Sequence, residues 1–119
     1  MKGTTRDGDE NGLSVPDLLV RLTGVDRLAR AEDIDDGDVE VLKSGPKLVE
    51  GVIRGYRILI DSRKRIIRHG CEDWAKGVSA KRVCKHVGKL FLVLPEAVSV
   101  DILSDLWEER DRWKFEVVR

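Results

Sequence analysis

The segment from His69 to His86 reads HGCEDWAKGVSAKRVCKH and holds every cysteine and every histidine of the 119-residue chain. Its four metal-binding side chains are spaced as His69-x-Cys71, twelve residues, then Cys84-x-His86. Zinc takes four sulfur and nitrogen ligands in a tetrahedron, and such a set leaves no position open for water or substrate. The spacing therefore predicts one Zn2+ ion in a structural role. Side chains at i and i+2 of a strand share a face, so His69 and Cys71 can turn to one ion from a strand end. Two positions apart in a regular helix diverge by about 200°, so Cys84 must lie in the approach to a helix and His86 in its first turn. Two plainer readings use the same residues: buried thiols beside an ordinary histidine pair, and a Cys71–Cys84 disulfide. A reducing compartment disfavours the disulfide.

Working outward, the residues before this segment read as strands. Val39 to Leu42, Leu48 to Ile53 and Tyr56 to Ile60 are rich in β-branched or aromatic residues, and Ser44-Gly45-Pro46 and Arg54-Gly55 supply turns. Arg65 to Arg68 is a further short strand. Tyr56, Ile58 and Ile60 alternate with Arg57 and Leu59, which predicts an antiparallel sheet with one dry face.

Helical periods flank the strands. Val15, Leu18, Leu19 and Leu22 repeat behind Ser14 as N-cap and end at Gly24, and Asp26 is placed to cap a second short helix running to Asp33. Val83, Val87, Leu90, Phe91 and Leu94 repeat until Pro95. A last helix is predicted after Ser99, with Ile102, Leu103, Leu106 and Trp107 inward and Glu108 and Arg112 as an outward i,i+4 pair. The fold class is α+β: a small antiparallel sheet with a zinc-anchored helix, flanked by N- and C-terminal helices. Residues 1–12 lack an apolar period and predict a disordered leader, with one domain over 13–119. No apolar run suits a signal peptide or a membrane span, so an intracellular, cytoplasmic protein without membrane association is expected.

The formal net charge is zero, yet the charge is unevenly placed. Residues 1–62 hold 9 Lys/Arg against 13 Asp/Glu, residues 63–92 hold 9 against 2, and residues 93–119 hold 4 against 7. The basic middle comprises Arg63, Lys64, Arg65, Arg68, Lys76, Lys81, Arg82, Lys85 and Lys89. Such a zone meets nucleic-acid phosphates, or pairs with the acidic flanks, the Asp33–Asp38 turn first among them. Trp74 either stacks on an unpaired base or packs beside the metal. Trp107 and Trp113 lie six apart, so one side of a continuing helix would not bury both, and the exposed one would anchor a partner unless it packs elsewhere. The chain contains no Walker phosphate loop, no Gly-x-Gly-x-x-Gly and no nucleophile elbow, and no enzyme activity is expected.

These residues resemble the SWIM zinc finger, whose pattern is Cys-x-Cys, a variable spacer, then Cys-x-His. The resemblance rests on Cys84-Lys85-His86 entering an apolar helix and on Cys71-Glu72-Asp73-Trp74, where the family favours an acidic residue and then an aromatic. The upstream strand Gly55-Tyr56-Arg57-Ile58-Leu59-Ile60-Asp61 supports it, and the match covers residues 48–95, near half of the chain. His69 stands at the family's first cysteine, converting a Cys3His site to Cys2His2. The resemblance implies a strand-and-helix zinc module of the kind found in transposases, helicase-associated proteins and recombination mediators, proposed there to bind DNA or protein. It implies an accessory DNA-binding factor in recombination, repair or other DNA transactions, or a protein-interaction subunit partnering a recombinase-like ATPase.

Overall fold

The computed structural model describes residues 14–118, so the expected leader 1–12 lies outside the described residues. The chain opens with α1 (Val15–Thr23) and α2 (Val25–Glu32). Ser14 Oγ accepts from the Asp17 N–H while the Asp17 carboxylate accepts from the Ser14 N–H, which closes the first turn of α1. Gly24, at φ 88°, ends α1 and starts α2 in one residue. Asp26 is consequently a first-turn residue of α2, not its cap as expected.

A five-stranded sheet follows: β1 (Val39–Ser44), β2 (Leu48–Ile53), β3 (Tyr56–Asp61), β4 (Ile66–His69) and, at the far end of the chain, β5 (Lys114–Val117). The spatial order is β1-β2-β3-β4-β5; the first four strands form an antiparallel meander and β5 lies parallel to β4. Sequence analysis found no β5, so the sheet is mostly rather than wholly antiparallel. β4 is shifted by one residue from the expected strand because Arg65 sits in the turn at φ 55°.

Val49, Ile53, Ile58, Ile60 and Ile67 point to one face and are wholly buried, as the alternation in β3 predicted. On that face lies α4 (Lys85–Val93). Gly51 permits the approach: a Cβ there would meet the Leu90 side chain at 3.0 Å. The opposite face carries Glu50, Leu59, Arg68 and Glu116 in register across β2 to β5, and all four are partly or largely exposed.

Pro95 ends α4 but also begins α5 (Glu96–Glu108), one turn ahead of the expected start after Ser99. Ser99 is buried inside α5, where its hydroxyl donates to the Phe91 carbonyl at 2.6 Å and pins α5 to α4. Because α5 stops at Glu108, the expected Glu108–Arg112 pair does not form; Arg112 lies in a 3-10 turn and pairs with Glu109. Trp113 follows in extended backbone and is fully buried, so of the two readings the sequence left open, packing is its role and the exposed anchor is not.

Candidate metal centre

Three element boundaries meet at the end of β4. His69 is the last residue of β4, Cys71 is the N-cap of α3 (Glu72–Gly77), Cys84 is the N-cap of α4 and His86 stands in its first turn. The two helix entries thus place the second pair as the spacing required. One ligand atom from each residue falls within 4.8 Å of the others, and all four residues are buried.

The polar groups show what the cluster lacks. His69 Nδ1 donates to the Arg57 carbonyl at 2.8 Å, which fixes the ring and leaves Nε2 as the free lone pair. That Nε2 is buried without a hydrogen-bond partner, and so is His86 Nδ1. An unpartnered buried polar atom costs about 1–3 kcal/mol, and the chain leaves two of them facing one another beside two sulfurs. These donors fit a single metal ion, bound through Nε2 of His69, Nδ1 of His86 and both sulfurs.

The two thiols are linked. Cys71 Sγ accepts from the Trp74 N–H at 3.3 Å, capping α3. The neighbouring Cys84 thiol, with both imidazoles nearby, lowers Cys71 from the ordinary thiol range, whereas burial and the nearby Cys71 push Cys84 up. The two sulfurs titrate as a pair, and a cation entering the cluster would displace their protons.

A second ring of groups steadies the first. Asp73 accepts from Arg27 Nε at 3.0 Å and Nη2 at 2.9 Å, with Arg82 Nη2 at 3.5 Å, tying α2 to α3. The Arg27 guanidinium holds the Asp73 carboxyl below its ordinary range, so this carboxylate is occupied as a tether. Tyr56 lies over His86 with ring centroids 5.0 Å apart, and Trp74 meets His69 edge-on at 5.8 Å. Trp74 is fully buried, stacks on Phe115 at 4.7 Å and donates from Nε1 to the Glu116 carbonyl at 2.9 Å. It packs beside the cluster and cannot stack on a base. Sequence reasoning missed Tyr56, Arg27 and the Arg57 carbonyl, whose partners are distant in the chain; the alternation that put Tyr56 on the dry face was the one available signal.

The nine basic residues singled out in the sequence do not form one surface. Arg65 pairs with Asp105, Arg68 with Glu116, Lys76 with Glu72, Arg82 with Asp73 and Lys89 with Asp36. Lys81 donates to the Arg110 and Trp113 carbonyls. Among the described residues only Arg63, Lys64 and Lys85 of the nine engage no carboxylate or carbonyl through their side chains; the first two lie in the β3–β4 turn and the third at the start of α4, beyond the opposite end of β4. Of the expected acidic turn, Asp36 takes Lys89 while Asp38 takes Arg54.

Fold and site together define a small α+β protein with one buried His2Cys2 cluster fit for a metal ion. Comparison with known proteins finds no matching family model, no matching curated protein and no matching solved structure. Among the described residues no helix is long and apolar enough to cross a membrane.

Proposed function

We propose that the chain is a non-catalytic binding module in which one Zn2+, held by His69, Cys71, Cys84 and His86, locks β4 to α3 and α4. The observation that carries this reading is the convergence of two unpartnered imidazole nitrogens and two sulfurs within 4.8 Å. Two sulfurs and two imidazoles in a closed set are a donor combination zinc favours, and a filled set leaves no site for a reacting water. The SWIM-like pattern of these residues supports an accessory role in DNA transactions. The charge arrangement favours a protein as the immediate partner, such as a recombinase-like ATPase, because five of the nine basic side chains already pair with carboxylates.

Direct DNA binding is a second reading, favoured by the free side chains of Arg63, Lys64 and Lys85. Three phosphate contacts give a log–log salt slope of about −2 to −3. Elemental analysis should find near one zinc per chain. Fluorescence anisotropy with single- and double-stranded DNA should then be run over a salt series. Binding with that shallow slope, lost in the triple alanine variant at these positions, would favour DNA; no binding at low salt would remove it and leave the protein partner.

A further inference from the structure

Among the described residues β1 is the outermost strand, with β2 on one side and no strand on the other. It carries two large exposed apolar residues, Val41 at 40% and Leu42 at 44%. An edge strand of this kind offers unpaired N–H and C=O groups to another strand.

The register of β1 on β2 is irregular in an informative way. Val39 faces Ile53, Glu40 faces Val52 and Val41 faces Gly51, but Lys43 then faces Glu50 and Ser44 faces Val49, so Leu42 is an extra residue. Directly opposed residues share a face. Val39, Val41 and Ser44 therefore lie on the face of Ile53, Gly51 and Val49, whereas Glu40 and Lys43 both lie on the outer face. Without the bulge, Glu40 and Lys43 would lie on opposite faces, being an odd number of residues apart.

A bulge ordinarily protects an edge, but this one places Val39 and Ser44 on one face and Glu40 and Lys43 on the other, symmetrically about the strand's centre. In a two-fold antiparallel pairing centred between Val41 and Leu42, Glu40 of one copy opposes Lys43 of the other, and Val41 opposes Leu42. Val39 then opposes Ser44, and the Glu40–Lys43 and Val39–Ser44 pairs each keep to a common face. Centring on Val41 would oppose Val39 to Lys43, and centring on Leu42 would oppose Glu40 to Ser44; both mix the faces. Neither Glu40 nor Lys43 has an ion pair among the described residues of its own chain. We infer that β1 is the contact through which two copies of this chain pair, joining two five-stranded sheets into one continuous sheet, with two Glu40–Lys43 ion pairs flanking the apolar centre.

Sedimentation velocity on the full, metal-loaded chain over a concentration series tests this. The wild type should show a reversible monomer–dimer equilibrium. Lys43→Glu and Glu40→Lys should each weaken self-association about tenfold or more, since like charges then oppose twice across the two-fold axis. Both positions are solvent-exposed, and circular dichroism with metal content checks that each variant is folded. The decisive arm mixes the two variants: one chain then carries two carboxylates and the other two ammonium groups, so a heterodimer should form with wild-type affinity. A wild type that stays monomeric at millimolar concentration overturns the inference. So does a dimer indifferent to either reversal, or a mixture that fails to associate.

Discussion

At the Arg65 end of β4 the half-buried polar groups satisfy one another, whereas at the His69 end two buried ring nitrogens are left without a partner. Arg65 gives two hydrogen bonds to Asp105, at 2.8 and 3.0 Å, and Asp105 also accepts from Trp113 Nε1 at 2.9 Å. The Arg65 carbonyl accepts from the Lys114 N–H at 2.8 Å, which aligns β5 beside β4. The two ends lie only four residues apart, about 13 Å of strand, yet one end is complete from the chain alone and the other is not. The difference teaches where the fold depends on something outside the sequence: β4 and the entries to α3 and α4 converge on His69, and although Asp73 and Trp74 tie α3 to its neighbours, the two ring nitrogens at the centre have no partner of their own.

The largest effect should therefore come from removing the metal. Structural zinc in small peptides binds with about 10–16 kcal/mol near neutral pH, comparable to the whole stability of a domain at ~5–15 kcal/mol. Chelation, or Cys84→Ala, should abolish cooperative unfolding and expose Trp74, read by tryptophan fluorescence and circular dichroism. A chain that keeps its wild-type urea transition after chelation would show that the His69 end is as self-sufficient as the other.

An intermediate effect is expected at the Arg65 end. Asp105→Ala leaves the Arg65 guanidinium and the Trp113 indole N–H without their acceptor in a half-buried setting, at a cost of about 1–3 kcal/mol, with metal content unchanged. Arg65 holds the Asp105 carboxyl below its ordinary range. A depressed carboxylate contributes stability that is complete above its unfolded value and lost as pH falls through its lower folded value. The gap between wild type and variant should consequently be equal at neutral and mildly acidic pH and narrow only below about pH 4. Urea midpoints in excess zinc check this; a gap that shrinks already in the mildly acidic range would contradict the ionised pair.

How far these two ends could be read from sequence differs for the same reason. The four residues of the candidate metal cluster lie within one short segment, so spacing alone brought them together, and helix entry explained why Cys84 and His86 could converge. The strands β1 to β4 were legible because each carries β-branched residues between turn residues. The Arg65 end was not: its partners are 40 residues apart along the chain, and no local pattern announces that pair. The four residues of β5 are too few to show a period, and they follow a helix whose end at Glu108 was itself placed too late. The same helix hid where Trp113 packs. Its burial comes from the turn at Arg110–Arg112, which returns the chain to the sheet.

The smallest expected effect lies one and two residues before Arg65. Arg63 and Lys64 share its turn and its charge, but neither side chain has a carboxylate partner among the described residues, and both are exposed. The Lys64 backbone N–H does donate to Asp61 at 3.0 Å, a contact that survives truncation of the side chain. Arg63→Ala with Lys64→Ala should thus change stability by no more than about 0.5 kcal/mol, while Arg65→Ala, which strands Asp105, should cost several times as much. Measured by urea unfolding of the zinc-loaded protein, equal costs for the two variants would mean that the Arg65–Asp105 contact contributes nothing beyond a surface charge. Unequal costs would separate the cations that hold this sheet together from those free to meet a partner.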